Sequence, residues 1–283
     1  MSAHDALPPT RLAGLVADPV EVRKTVLEIL YSGRGSHLGS AMSAVEMLLA
    51  IYSAVDLNRI RQQAPDRDRV IVSKGHCAAA VYSVMAHAGL LPFEDLAGYR
   101  LDDSLLAGCV SHAVSFVEHS TGALGHGLPV AAGCAVGLRA RGFDSSWVFA
   151  LVGDGEIQEG SVWEALMFAR HHRLWNLITL VDDNRIGNIT RTAAVIDMNP
   201  LSDRFAGFGF QAFVVDGHDP SALLATIGKI KEARVPSVII CRTVKGRDVP
   251  FAENQPIWHY RTLSQPDFEA AIAHLEELRG GPS

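Results

Sequence analysis

Asp154 and Asn184 carry the strongest chemical signal in this chain. Asp154 closes the run Val148-Phe149-Ala150-Leu151-Val152-Gly153-Asp154-Gly155, which reads as a buried parallel strand entering a glycine turn. Asn184 stands thirty residues on, in Asp182-Asp183-Asn184-Arg185-Ile186, after a second apolar strand, Leu177-Ile178-Thr179-Leu180-Val181. Helical spacing from Glu159 to His172 joins the two into one βαβ unit. A carboxylate and a carboxamide then meet at the carboxyl ends of two strands, where open α/β sheets bind ligands. Two such oxygens suit a hard cation such as Mg²⁺, which also takes phosphate oxygens. Gly153 and Gly155 let the backbone come close to a phosphate. Gly-Asp-Gly alone reads as an ordinary turn; its pairing with Asn184 makes it informative.

The elements around that pair must place it. Asp18-Pro19-Val20-Glu21 has the pattern of a helix start, and Val22, Val26, Ile29 and Leu30 share one face of the helix it opens. Ser43-Ala44-Val45-Glu46 reads as a second capping box, opening a helix to about Ala54. Val70-Ile71-Val72 is a short buried strand, Gly75 to Ala88 a helix stopped by Gly89, and Leu128 to Ala140 a helix rich in small residues. Strands near 147–152, 177–182, 210–215 and 237–243 alternate with helices near 159–173, 200–207 and 219–234. Such alternation predicts an α/β fold with a mostly parallel central sheet and helices on both faces. Gly246 to Tyr260 reads as a long polar loop of the kind that is often functional. No linker or repeat is visible, so a single domain over residues 1–283 is expected, with a helical amino-terminal segment about 10–60.

Bulk properties exclude several classes. The 283 residues are 48% apolar, enough for a substantial core, and the net charge is −6 with 25 scattered Lys and Arg, which argues against nucleic acid as partner. No apolar run reaches the ~18 residues of a membrane span. The amino terminus shows no signal peptide, and Cys77, Cys109, Cys134 and Cys241 form no CxxC pair. Thiols in a reducing cytoplasm are the expectation.

Three histidines stand in glycine- and serine-rich turns beside predicted elements: Ser36-His37-Leu38-Gly39-Ser40, Ser73-Lys74-Gly75-His76 and Gly122-Ala123-Leu124-Gly125-His126-Gly127. Gly-Asp-Gly followed about thirty residues later by Asn is the thiamine diphosphate motif. With Gly153-Asp154-Gly155-Glu156-Ile157-Gln158-Glu159-Gly160 and Asp183-Asn184-Arg185-Ile186, these segments resemble transketolases in order and spacing, over roughly positions 18 to 275. The resemblance implies a thiamine diphosphate-binding fold that moves a two-carbon ketol unit from a ketose donor to an aldehyde acceptor. It implies that His37 and His76 are catalytic and hydrogen-bond substrate oxygens, His76 also lying at the cofactor. Asp154, Asn184 and the carbonyl of Ile186 become Mg²⁺ ligands. Gly153, Gly155, Glu156 and Asn184 fall beside the diphosphate, and Gly122 and Leu124 flank the aminopyrimidine ring. Glu159 matches a glutamate that relays protons between the two active sites of a dimer. Lys245-Gly246 and Glu253-Asn254 through Trp258-His259 resemble two-chain transketolases, placing Lys245 and His259 near the diphosphate.

Plainer readings stand beside these. Glu159 also reads as a charge favoured at a helix amino terminus, Lys245 as a solvated charge, and His126 as a turn residue. His112, His119, His171, His172 and His274 read as surface or structural. Asp216-Gly217-His218-Asp219 reads as a turn with Asp219 capping the next helix.

Two departures from the family pattern shape the expectation. Full transketolases are more than twice as long, and their second domain carries the glutamate that activates the pyrimidine ring. The chain is therefore expected to be inactive alone and to need a second subunit with the pyrimidine-binding domain, in an α2β2 assembly acting on a sugar or sugar-phosphate-like substrate, with no membrane partner. Gly108-Cys109-Val110 stands where the family has a Gly-His-Pro histidine that touches the donor, and a thiol is a poor hydrogen-bond donor. That leaves open an unusual substrate for another thiamine diphosphate-dependent C–C bond enzyme, or a noncatalytic scaffold. The alpha subunits of 2-oxoacid dehydrogenases lack Ser-His-Leu-Gly and Lys-Gly-His, and deoxyxylulose phosphate synthase is a single long chain. A Rossmann-like nucleotide binder would need a Gly-x-Gly-x-x-Gly that this chain lacks.

Overall fold

A computed structural model describes residues 14–280. The helices are α1 (Pro19–Ser32), α2 (Leu38–Ala54), α3 (Leu57–Arg61), α4 (Ala78–His87), α5 (Gly127–Ala140), α6 (Gly160–His171), α7 (Leu201–Gly207), α8 (Pro220–Ala233) and α9 (Gln265–Gly280). The strands are β1 (Arg69–Val72), β2 (Val148–Gly153), β3 (Leu177–Asp183), β4 (Gln211–Asp216) and β5 (Ser237–Arg242). All pair in parallel, in the order β1-β2-β3-β5-β4. Parallel pairing brings every strand's carboxyl end to one edge, and that edge carries the site.

The sheet is covered on both faces, and alternate side chains of each strand feed two cores. Val70, Val72, Phe149, Leu151, Ile178, Leu180 and Ile239 pack with residues of α1, α2, α4, α8 and α9. Ile71, Val148, Ala150, Val152, Val181, Val238 and Ile240 pack with α5, α6 and α7. α2 is buried on nearly every side, from Leu38 to Tyr52. An apolar surface on every face is what permits that position. The caps follow sequence chemistry at α1 and α8. Asp18 accepts from the N–H of Val20 and Glu21, and Asp219 from Ser221 and Ala222, with proline next in each case.

The capping box expected at Ser43–Glu46 is not a helix start. α2 begins at Leu38, five residues earlier, after His37 in the left-handed region (φ 70°). Ser43 and Glu46 are buried inside the helix because distant partners satisfy them. The Ser43 hydroxyl donates to Asp182 (2.6 Å), and Glu46 pairs with Arg23 (2.6 Å). The polar loop from Gly246 to Tyr260 is also better packed than its composition suggests, with Val249, Ala252 and Trp258 in the core and a 3₁₀ turn at Pro256–His259. α9 carries only a weak apolar stripe in its sequence; it packs on α1, where Phe268 stacks on Tyr31 at 4.6 Å. Of the expected amino-terminal segment, residues 10–13 lie outside those described; α1 to α3 form the rest.

Candidate functional site

A cleft of about 630 Å³ opens at the carboxyl edge of the sheet. Its floor is made by the ends of β2 and β3. The Asp154 carboxylate accepts hydrogen bonds from the main-chain N–H of Gly155 (2.7 Å) and of Arg185. Arg185 adopts φ 63°, a local turn that brings the chain back over Asp154. The Asn184 amide oxygen accepts from the Ile186 N–H (3.0 Å). Burial, reinforced by the nearby Asp182 carboxylate, pushes Asp154 up to about 7 against the pull of the Arg185 amide.

These groups fit a hard cation. Among the described residues, no cluster of three or more His, Cys, Asp or Glu side chains is arranged as a metal site. A cation here would use one carboxylate with amide and main-chain oxygens, from Asp154, Asn184 and Ile186, the oxygen-rich set that Mg²⁺ takes. A carboxylate held near 7 beside a second carboxylate is one that positive charge would favour. Lys245 already supplies some. It is 1% exposed, and its ammonium donates to the carbonyls of Ile186 (2.8 Å) and Gly187 (2.6 Å). Burial and the neighbouring Lys74 bring it down to about 8.

The wall is a group of imidazoles delivered by helix starts and loops. The His37 ring centroid lies 5.5 Å from that of His76 and 5.0 Å from that of His259, and His76 lies 5.1 Å from His259. The His37 N–H donates to the His259 carbonyl (3.0 Å), which locks the two segments together. Burial, then Arg100 and Lys245, lower His37 to about 4; burial, then Lys245, lower His259 to about 3. His76 keeps an opening into the cleft but is packed on its other sides, and burial with Lys74 holds it well below the usual range. All three rings are neutral at pH 7, able both to donate and to accept.

Two buried braces fix the frame. The Glu156 carboxylate accepts from the Ser73 hydroxyl and from the N–H of Gly125 (3.1 Å) and Gly153 (3.1 Å), tying three segments of the cleft together. Lys74 pairs with Asp182, which also accepts from Ser43 and Thr243. Burial alone would raise Asp182, but Lys74 overcomes it and holds the carboxylate down.

Of the residues expected at a site, His37, His76, Leu124, Gly153, Asp154, Gly155, Glu156, Glu159, Asn184, Ile186, Lys245 and His259 all line this cleft. Gly122 does not, although its φ of 145° is one that glycine favours. Glu156 turns its carboxylate into the frame, while Glu159 is exposed at the amino end of α6 and makes no capping bond. His126 and Cys109 lie outside the cleft wall. Ser40, Lys74, Gln158, Thr192 and Tyr260 line it as well. Two of them had a sequence signal: Ser40 follows His37 by about one helical turn, and Lys74 lies two residues before His76.

Residues 20–276 match the family model described as "Transketolase, thiamine diphosphate binding domain". An apulose-4-phosphate transketolase subunit of Actinobacillus succinogenes is 36% identical over 257 residues, covering 90% of this chain and 93% of that protein. The 6-deoxy-6-sulfo-D-fructose transketolase subunit of a Clostridium species is 31% identical, covering 90% of this chain and 94% of that one. The transketolase of Pongo abelii is 34% identical over 90% of this chain, which spans only 41% of that protein. In fold, the crystal structure of Campylobacter jejuni transketolase superposes with a TM-score of 0.82, at 24% identity, over 92% of this chain and 42% of that one.

Proposed function

This chain belongs to the transketolase family through its thiamine diphosphate-binding domain, and on that premise we propose that it is the Mg²⁺- and thiamine diphosphate-binding subunit of a two-chain transketolase. It would transfer a two-carbon ketol unit from a ketose to an aldehyde. The observation that carries this reading is a wall of three clustered histidines facing an oxygen floor across one cleft. Asp154, Asn184 and the Ile186 carbonyl would hold Mg²⁺. Gly153, Gly155, the main chain of Glu156, Asn184, Lys245 and His259 would lie along the diphosphate, with His76, Gly122 and Leu124 toward the ring. The bound cofactor would supply a nucleophilic carbon and an electron sink.

The chain's own contribution is positioning and proton handling. His37 and His76 would hydrogen-bond the donor's carbonyl and hydroxyl oxygens. Each is neutral at pH 7, so each can take the hydroxyl proton next to the bond that breaks. Glu159 would pass protons toward a second active site.

Two features support a partner chain. Relatives matched along more than nine-tenths of their length carry the word subunit in their names. The cleft is also rimmed by exposed apolar side chains, among them Leu124, Ile189, Val195 and Tyr260, an unusual surface for a site left open to water. We read residues 1–283 as one domain that pairs, in the cytoplasm and as an α2β2 heterotetramer, with a subunit carrying the pyrimidine-binding domain. The test mixes both subunits with Mg²⁺, thiamine diphosphate and a panel of ketoses and aldehydes. Two-carbon transfer that needs every component is expected. No transfer from any ketose would sink the reading.

A further inference from the structure

His218 lies in Asp216-Gly217-His218-Asp219, the turn between β4 and α8, and does not line the cleft. The turn is pressed against the end of β5. A Cβ on Gly217 would sit 2.4 Å from Thr243 Cγ2, and the Gly217 N–H donates to the Arg242 carbonyl (2.8 Å). This contact brings His218 Nε2 to 2.8 Å from the main-chain nitrogen of Val244. A main-chain N–H can only donate, so Nε2 must be the unprotonated nitrogen. The proton then sits on Nδ1, which faces Glu46 Oε2 at 3.1 Å and donates to it. Glu46 is held in turn by Arg23, with Nη1 to Oε1 at 2.6 Å and Nη2 to Oε2 at 2.9 Å. Arg23 is 1% exposed and also pairs with Asp248 at 3.2 Å. Each member of this buried chain leaves the next one orientation.

The chain ends beside the cleft. Val244 is followed by Lys245, and the next residue, Gly246, donates its N–H to the Gly39 carbonyl at 2.9 Å. The Lys245 backbone is thus held between two anchors, one from His218 and one from α2. From that position its ammonium reaches Ile186, Gly187 and, at 3.3 Å, His259 Nδ1.

We propose that His218 is a positioning residue: by accepting from Val244 N–H it sets Lys245 in the cleft, and so tunes the grip on the cofactor diphosphate. The proposal rests on the function inferred above, and two variants of the full chain separate the two. His218→Gln places an amide oxygen where Nε2 stood and keeps the acceptor for Val244. His218→Asn keeps a donor toward Glu46 and loses that acceptor. Both disturb the same buried pocket, so a purely structural role would affect them alike.

Two quantities are measured: amide hydrogen exchange at Val244 in the cofactor-free chain, and the Kd for thiamine diphosphate with Mg²⁺, with the second subunit present. His218→Asn should speed Val244 exchange and weaken Kd by about tenfold, the usual scale for an outer support of a ligand site. His218→Gln should stay within about threefold of wild type on both. Equal Kd values for Asn and wild type, or equal losses for Asn and Gln, would overturn the positioning role. A wild-type protein that binds no thiamine diphosphate would overturn the function of the site instead. Unchanged Val244 exchange in the Asn variant overturns the anchor whether or not the cofactor binds.

Discussion

The floor and the wall of the cleft respond to the same burial in opposite chemical senses. On the floor, Asp154 is held by the N–H groups of its own turn and of the turn after β3, and burial drives it up to about 7. On the wall, His37 and His259 come from a helix start and a distant loop, and burial drives them down to about 4 and about 3. Both shifts disfavour charge. The consequences differ because a cation held at the floor would restore the Asp154 charge. The wall is kept neutral by burial first, reinforced by Arg100 and Lys245 at His37 and by Lys245 at His259. The floor is therefore suited to gripping and the wall to exchanging protons.

Asp154→Ala puts the largest strain on that contrast. Binding of thiamine diphosphate with Mg²⁺ should fall at least about a hundredfold by calorimetry, at the upper end for a lost metal-site group. The cofactor-free protein should melt no earlier, because a buried carboxylate crowded by Asp182 is lost. Retained cofactor binding would break the assignment of the floor. His37→Ala should do the reverse, cutting kcat of the assembled enzyme by about a hundredfold while Kd for the cofactor changes little; His76→Ala, whose ring is also placed at the cofactor, should cut kcat similarly with a smaller loss of cofactor binding than Asp154→Ala. A parallel loss of cofactor binding would merge the two regions into one.

Stability against pH sharpens the comparison in the cofactor-free chain. Unfolded Asp titrates near ~3.9 and His near ~6.5. Asp154 is raised, so its contribution is full below about 4 and lost as pH climbs through about 7. His37 and His259 are lowered, so theirs is full above about 6.5 and lost as pH falls through about 4 and about 3. The two regions therefore oppose each other between about pH 4 and 7. In urea titrations, Asp154→Asn should show stability rising more steeply with pH across this window than wild type does. An unchanged slope would remove Asp154 from the balance. The smallest effect is expected at Glu159, which is exposed and makes no capping bond. Glu159→Gln should move stability by less than about 0.5 kcal/mol. Any change in turnover would then report on communication between active sites.

The strands were legible because parallel strands covered on both faces are short apolar runs, and β2, β3 and β5 follow that rule closely. Most of the cleft was legible because its residues sit in turns immediately beyond strand ends or helix starts. The failures have a common cause. Ser43 and Glu46 look like a local cap, yet they are claimed by Asp182 and by Arg23 and His218. Lys74 and Ser40 carry no local signal beyond their nearness to the two histidines. α9 has a weak apolar stripe, and its packing on α1 joins the two ends of the described chain.

By itself, the sequence determined the alternation of strand and helix, the placement of Asp154 and Asn184 just beyond β2 and β3, and the family. Those features are local: a period of two, a glycine turn, a spacing across one helix. The tertiary structure alone decided which groups are charged and which side chains are engaged elsewhere. Glu156 could have pointed at a ligand, but Ser73, Gly125 and Gly153 converge on its carboxylate. Asp154 and Asp182 begin as similar acids, yet only Asp182 has Lys74 against it. Such outcomes depend on distances of a few ångströms between segments far apart in the chain, in a medium that screens charge poorly.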